Sequence, residues 1–176
     1  VQVQADGPVG GLALSLQPLG DDGAGDRAAR ELLARWMSSR EADPTAVPGR
    51  FAFLLWDVPA GRLVALTDRF RTFSVLQAPL AGGGVAFASD LRLLTGPGLV
   101  ERQVDWTSIY HYLNFAYVPA PHSAIRHVRT LEPAQRVQWT RGRLETQRWW
   151  RPQYPADLAG SDEERAQALR ERMVSV

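Results

Sequence analysis

The side chains best suited to proton transfer or metal binding at neutral pH are three histidines, His111, His122 and His127. His122 and His127 stand close together in a proline-rich stretch with no carboxylate pair beside them. A metal centre needs three or four converging ligands, so no metal is expected there. His111 falls within an expected helix and reads as a packing or surface residue. Ser, His and Asp are all present, but no Gly-x-Ser-x-Gly elbow is there to present a serine nucleophile. The chain has no Cys, and all 20 of its basic residues are Arg. That removes thiol nucleophiles, thiolate metal sites and disulfides from this chain, together with Schiff-base and phosphate-loop lysines. Trp139, Trp149 and Trp150 beside Arg141, Arg143, Arg148 and Arg151 have the composition of a stacking surface for single-stranded nucleic acid. A net charge of +1 provides no bulk attraction for a polyanion or a membrane, so packed tryptophans with a solvated Arg face are expected instead. Asp68-Arg69 reads as a buried ion pair at a strand end, with a structural role or a part in an interface.

These residues must be positioned by a mixture of strands and helices. Residues 1–16 alternate apolar and polar around an Ala5-Asp6-Gly7-Pro8 turn, which predicts a hairpin. Residues 19–25 read as a loop. Asp26 can cap a helix to about residue 39 that places Leu32, Leu33 and Trp36 on one face. Residues 43–49 form a connector. Strands are expected at 51–56 and 62–67 around a turn at 57–61, and at 73–77 and 84–88 around Ala81-Gly82-Gly83-Gly84. No helix follows those glycines, so they read as a hairpin turn and not as a phosphate cradle. Both faces of 51–56 are apolar, which predicts a strand covered on both sides, with helices outside the sheets. Asp105 is expected to cap a helix over 106–113, with Ser108 where a full capping box would have Glu. Residues 117–121 should be extended before their prolines. A hairpin follows, with strands at 137–139 and 144–149 around the turn 140–143. Ser161 should cap a last helix whose first turn carries Asp162, Glu163 and Glu164.

Several segments, in order, resemble the glutaminase domain of asparagine synthetase-type amidotransferases. Residues 49–57 resemble the family's G-x-F-A-F-x-L-W-D strand. Asp68-Arg69-Phe70 is similar to its D-R-F-G turn, with Arg71 in place of Gly. Residues 85–94 resemble F-A-S-E-I-K-A-L, and residues 112–121 resemble Y-L-x-F-G-Y-V-P-A-P. Leu131-Glu132-Pro133-Ala134 and Trp149-Trp150 resemble the L-x-P-G and Y-W elements near the end of the domain.

The resemblance implies an α+β fold, a four-layer αββα sandwich of the N-terminal-nucleophile hydrolase type, incomplete at one or both ends. Residues 1–155 would be the glutaminase-like domain. Residues 156–176 would be a linker and the first helix leading toward an ATP-pyrophosphatase (synthetase) domain outside this chain. In the family an N-terminal Cys thiol attacks the glutamine amide, aided by an Arg-Gly-Pro loop, an Asn-Gly oxyanion pair and an Asp that holds the substrate. None of these carries over. Val1 has no nucleophilic atom, Asn114 is the only Asn and lies in another segment, and the Asp position falls near Ala28, two residues from Asp26. No catalytic, cofactor or metal residue is therefore assigned. Degeneration accounts for all these losses together, whereas truncation of an active enzyme accounts readily only for the Cys and the Arg-Gly-Pro loop.

The expectation is a catalytically inactive glutaminase-type domain that acts as scaffold for a synthetase domain in cis or trans, as in β-lactam synthetases and lasso-peptide cyclases. Packing would use Asp68, Arg69, Phe70, Tyr117, Pro119 and Pro121. ATP and Mg would belong to the synthetase domain alone. A homodimer is compatible with this, the expected location is cytoplasmic, and neither nucleic acid nor membrane is an expected partner. Two alternatives stand beside it: a fragment of a true glutamine-dependent asparagine synthetase, and a free-standing pseudo-glutaminase that binds a partner protein.

Overall fold

The computed structural model describes residues 2–6, 9–15, 34–36, 44–46, 50–96, 98–154 and 160–174. Nine strands form two antiparallel sheets among them, giving an α+β chain. The large sheet has the order β1 (Gln2–Asp6), β2 (Val9–Ser15), β3 (Phe51–Asp57), β4 (Arg62–Thr67), β8 (Gln135–Thr140) and β9 (Arg143–Arg148). The small sheet has the order β6 (Val85–Ala88), β5 (Leu76–Pro79) and β7 (Arg129–Thr130). The helices are α1 (Leu91–Thr95), α2 (Trp106–Phe115) and α3 (Asp162–Val174), with a 3-10 turn at Pro44–Ala46.

Register follows the apolar pattern, because side chains in a strand alternate faces. Phe53 lies opposite Leu66 and Leu55 opposite Val64, so these four share one face of the large sheet. All four are at most 3% exposed. Trp36, in the helical stretch 34–36, is fully buried, with the Arg62 guanidinium 4.3 Å from its ring centroid. The other face carries Ala52, Ala65 and Val137, which pack with Val75, Leu131 and Phe87 of β6. The two sheets are thus joined by a shared core. On the far side of the small sheet, Leu76 and Ala78 pack with Leu94 of α1 and Val128. Coverage of the second face of β3 ends early: Ala52 is buried and Leu54 half-buried, but Trp56 is 57% exposed. The expectation of a strand covered on both sides along its whole length is corrected there.

The β8–β9 turn needs two left-handed residues, and Arg141 (φ 48) and Gly142 (φ 88) supply them as a type I′ pair. At the other hairpin, Leu80 N donates to Gly84 O (2.9 Å) and Gly83 N to Leu80 O (3.3 Å), so the glycines form a turn as read from sequence. The expected strand 73–77 begins later, at Leu76, because Arg71 adopts φ 53 and Thr72 N is held by the Asp68 carboxylate. Residues 117–121 are not extended throughout. The chain bends at Tyr117 and turns at Ala120-Pro121, a cis bond, with His122 N donating to Pro119 O at 3.0 Å.

Helix starts match their caps. Asp90 accepts from Arg92 N at 2.8 Å and from the Arg92 guanidinium, which holds its carboxyl at about 2. Ser161 and Glu164 form a reciprocal capping box: Ser161 N donates to Glu164 Oε2 (2.7 Å) and Glu164 N to Ser161 Oγ (3.3 Å). The loop expected at 19–25, most of the helix expected at 26–39, including Leu32 and Leu33, and residues 155–159 lie outside the described residues.

Candidate functional site

Asp68 follows directly on β4 and is 2% exposed. Its carboxylate accepts three backbone N–H bonds, from Phe70 (2.8 Å), Phe51 (3.1 Å) and Thr72 (3.1 Å). Its carbonyl accepts from Ala134 N at 2.8 Å, and its own N–H donates to Phe51 O at 3.0 Å. The residue pins the 68–72 turn to the start of β3 and to the chain entering β8. The expected Asp68–Arg69 ion pair is corrected. The carboxylate is satisfied by main-chain donors, and the Arg69 guanidinium sits 5.6 Å and 6.0 Å from the ring centroids of Trp149 and Trp150. Asp68 is thus buried within this chain, beneath the turn it holds. Phe70 is 76% exposed and meets Trp150 edge-on, with centroids 5.8 Å apart.

Beside this turn, Thr67 makes a second connection. Its Oγ1 donates to Glu132 O at 2.7 Å and accepts from Gln135 N at 3.1 Å. Trp149 donates its indole N–H to Thr67 O (3.1 Å) and stacks near Phe51, and Trp139 donates to Gly83 O (3.0 Å). The indole N–H groups of Trp139 and Trp149 are thus engaged by main-chain carbonyls, and Arg148 pairs with Glu132 at 3.1 Å.

The second expected contact segment, 117–121, follows α2. Tyr117 is 59% exposed and packs beside Phe115, while Pro119 and Pro121 are half-buried. The larger exposed surface is one that sequence reading missed, on α2 itself. Trp106, Tyr110 and Leu113 occur at i, i+4 and i+7, hence on one helix face, and are 71%, 65% and 76% exposed. The available signal was that apolar residues surround this helix, a pattern that ordinarily marks a helix buried on every side. Ser108 is its one buried residue.

Asp105 starts α2. Thr107 N donates to its Oδ1 at 3.2 Å and Ser108 Oγ to its Oδ2 at 2.8 Å, so Ser108 occupies the capping-box position by donating to the carboxylate. The Ser108 hydroxyl, with smaller contributions from the Thr107 amide and the charge of His122, lowers the Asp105 carboxyl below its ordinary 3.8 against an opposing desolvation effect. A depressed folded-state value means that this cap contributes fully above the unfolded value and is lost as pH falls through the folded one. An NMR acid titration of the Thr107 and Ser108 amides should give a midpoint below 3.8. A midpoint at or above that value would rule the cap out.

The three histidines divide between two places. His111 on α2 and His122 have ring centroids 5.6 Å apart, whereas His127 lies on the next turn with φ 67. No group of three or more His, Asp or Glu residues converges as a ligand set among the described residues. The side-chain amide of Asn114 donates to Tyr110 O at 2.7 Å within α2.

Residues 28–150 match the family model described as a glutamine amidotransferase domain. The chain belongs to that family. Its relatives include proteins of Mycobacterium bovis and of two strains of Mycobacterium tuberculosis, provisionally named asparagine synthetase (glutamine-hydrolyzing). Each is 35% identical over 86 residues, which is 48% of this chain and 13% of the relative. The amidotransferase domain thus matches a small part of much longer proteins, and it is of the asparagine synthetase-like kind. Among its described residues no helix is long and apolar enough to cross a membrane.

Proposed function

We propose that this amidotransferase domain is inactive as a glutaminase and serves as the scaffold on which an ATP-dependent, amide-forming synthetase domain packs. The arrangement would be of the kind found in β-lactam synthetases and lasso-peptide cyclases. The single observation that carries the reading is the α2 face of Trp106, Tyr110 and Leu113, each more than half exposed. Three large apolar side chains on one helix face are costly in water and suit a covered surface. Phe70 and Tyr117 add exposed aromatic area of the same kind. The inactive half of the reading is supported by the chemistry of the chain. The amide of Asn114, its only asparagine, is engaged within a helix and does not form the family's Asn-Gly oxyanion pair. An αββα sandwich of the N-terminal-nucleophile type is the fold proposed with it. Support comes from α1 on the outer side of the small sheet and from Trp36 beside Arg62 on the outer side of the large one.

The test uses the natural full-length protein and its Leu113→Asp variant. Leu113 is an exposed site, where a substitution changes domain stability by less than about 0.5 kcal/mol. Glutamine hydrolysis should stay at the level of a protein-free control. ATP–pyrophosphate exchange should fall in the variant, and its thermal unfolding should separate into two transitions. Glutamine turnover would overturn the inactive reading, and unchanged exchange with a single transition would overturn the scaffold. The second reading is a working glutaminase of an asparagine synthetase, which the names of the mycobacterial relatives favour. The glutamine assay decides between the two.

A further inference from the structure

A cavity of about 610 Å³ opens where the β5–β6 turn, the β8–β9 turn and residues 121–129 meet. That volume lies within the range of small-molecule sites. Its charge is one-sided. Among the described residues, His122, Arg126, His127 and Arg129 line it against one carboxylate, Asp105, which is already engaged by Ser108 and Thr107. Among the described residues neither the Arg126 nor the Arg129 guanidinium has a carboxylate or carbonyl partner. Unpaired guanidinium groups at a cavity wall are what an anion would meet.

The rest of the lining limits what that anion can be. Leu80 and Leu144 are apolar, and Trp139 stands among them, fixed by its bond to Gly83 O. Gln77 also lines the space, and its buried Oε1 has no hydrogen-bond partner. The orientation of a Gln amide is assigned and not observed, but either orientation leaves a polar tip in want of a partner. A phosphate would favour a nest of free amides. The glycine turn is closed on itself, with Gly83 N donating to Leu80 O.

We propose that this cavity binds a small organic carboxylate on an apolar or aromatic body, with Arg126 and Arg129 as its counter-charges and Trp139 as the wall for its body. The site adjoins the start of α2, whose cap Asp105 lines it together with Pro121. Glutamine, with its ammonium and polar side chain, suits this lining poorly.

The experiment is calorimetric titration of the chain with 3-phenylpropionate, 3-phenylpropionamide, phenyl phosphate and glutamine. The carboxylate should bind with a dissociation constant below about 1 mM, and the neutral amide about tenfold more weakly. The double variant Arg126→Gln, Arg129→Gln should lose about tenfold for the carboxylate and keep its affinity for the amide. Both positions are exposed, and an unchanged near-ultraviolet circular dichroism spectrum will confirm that the variant is folded. Equal affinity for acid and amide, no binding of the carboxylate at about 10 mM, or an unaffected double variant would overturn the proposal. Tighter binding of phenyl phosphate or of glutamine would overturn the ligand class.

Discussion

Replacing Asp68 with alanine is expected to destabilise the domain by about 3–5 kcal/mol, because three buried or half-buried N–H groups lose a charged acceptor at once. Those donors belong to Phe51, Phe70 and Thr72, at 2.8 to 3.1 Å. Nothing else in the turn replaces an oxygen that serves both its own loop and the first residue of β3. Asp68→Asn keeps one acceptor oxygen but points an amide NH₂ at main-chain donors, so it should recover only part of the loss. Urea denaturation of the three proteins at pH 7 measures this, and an alanine variant within about 1 kcal/mol of the parent would sink the account. Asp90 is the instructive contrast. It makes equally short bonds to Arg92, but in open solvent, where such a pair contributes little. Burial, more than the number of hydrogen bonds, separates the two residues.

Trp36→Ala should cost about 3–5 kcal/mol, the range for emptying a large aromatic site. The side chain is fully buried and carries the Arg62 guanidinium over its ring at 4.3 Å. Arg62 in turn lies 3.6 Å from the buried carboxylate of Asp57. Removing the ring therefore removes the surface on which a half-buried cation rests, in addition to apolar contact. The phenylalanine variant separates these effects. The Trp36 indole N–H is buried without a hydrogen-bond partner, so its deletion forfeits no bond while a ring remains for Arg62. Trp36→Phe should lose less than half of what Trp36→Ala loses in the same denaturation experiment. Equal losses would mean that the aromatic face contributes nothing beyond volume.

Much of this fold was legible because its signals are local. The alternation of Phe51, Phe53 and Leu55 and the turn after it marked a pair of strands, and the structure extends β3 by one residue, to Asp57. Thr140-Arg141-Gly142-Arg143 announced a hairpin through its glycine. Asp105 and Ser161 marked helix starts one residue ahead of the first helical position. The errors arose where distant contacts decide. The Asp68 carboxylate was assigned to its neighbour Arg69 because sequence shows adjacency and hides the main-chain donors of Phe51 and Thr72. The strand expected at 73–77 begins only at Leu76 because the turn before it is held by the left-handed Arg71 and by the bond from Thr72 N to the Asp68 carboxylate. Of the expected contact residues, Phe70 and Tyr117 are exposed, whereas Asp68 is buried. The α2 face was overlooked because an apolar helix looks the same in sequence whether it is covered by its own chain or left open. The cavity lining is drawn from segments far apart in sequence. Only the cluster His122, Arg126, His127 and Arg129 could have drawn attention to it.

The clasp between Thr67 and the chain around Gln135 also bears on the order of events during synthesis. Strands β1 to β4 pair each with its predecessor, so that part of the large sheet can assemble as it emerges. β8 must then pair with β4 across an intervening excursion that holds the whole small sheet, α1 and α2. Until Glu132 and Gln135 reach Thr67, β4 presents an unpaired edge to the surroundings. Closing so long a loop is an entropically costly, non-local step. The half-made sheet is therefore the state most open to sticking to a neighbour, and the arrival of residues 132–135 ends that exposure.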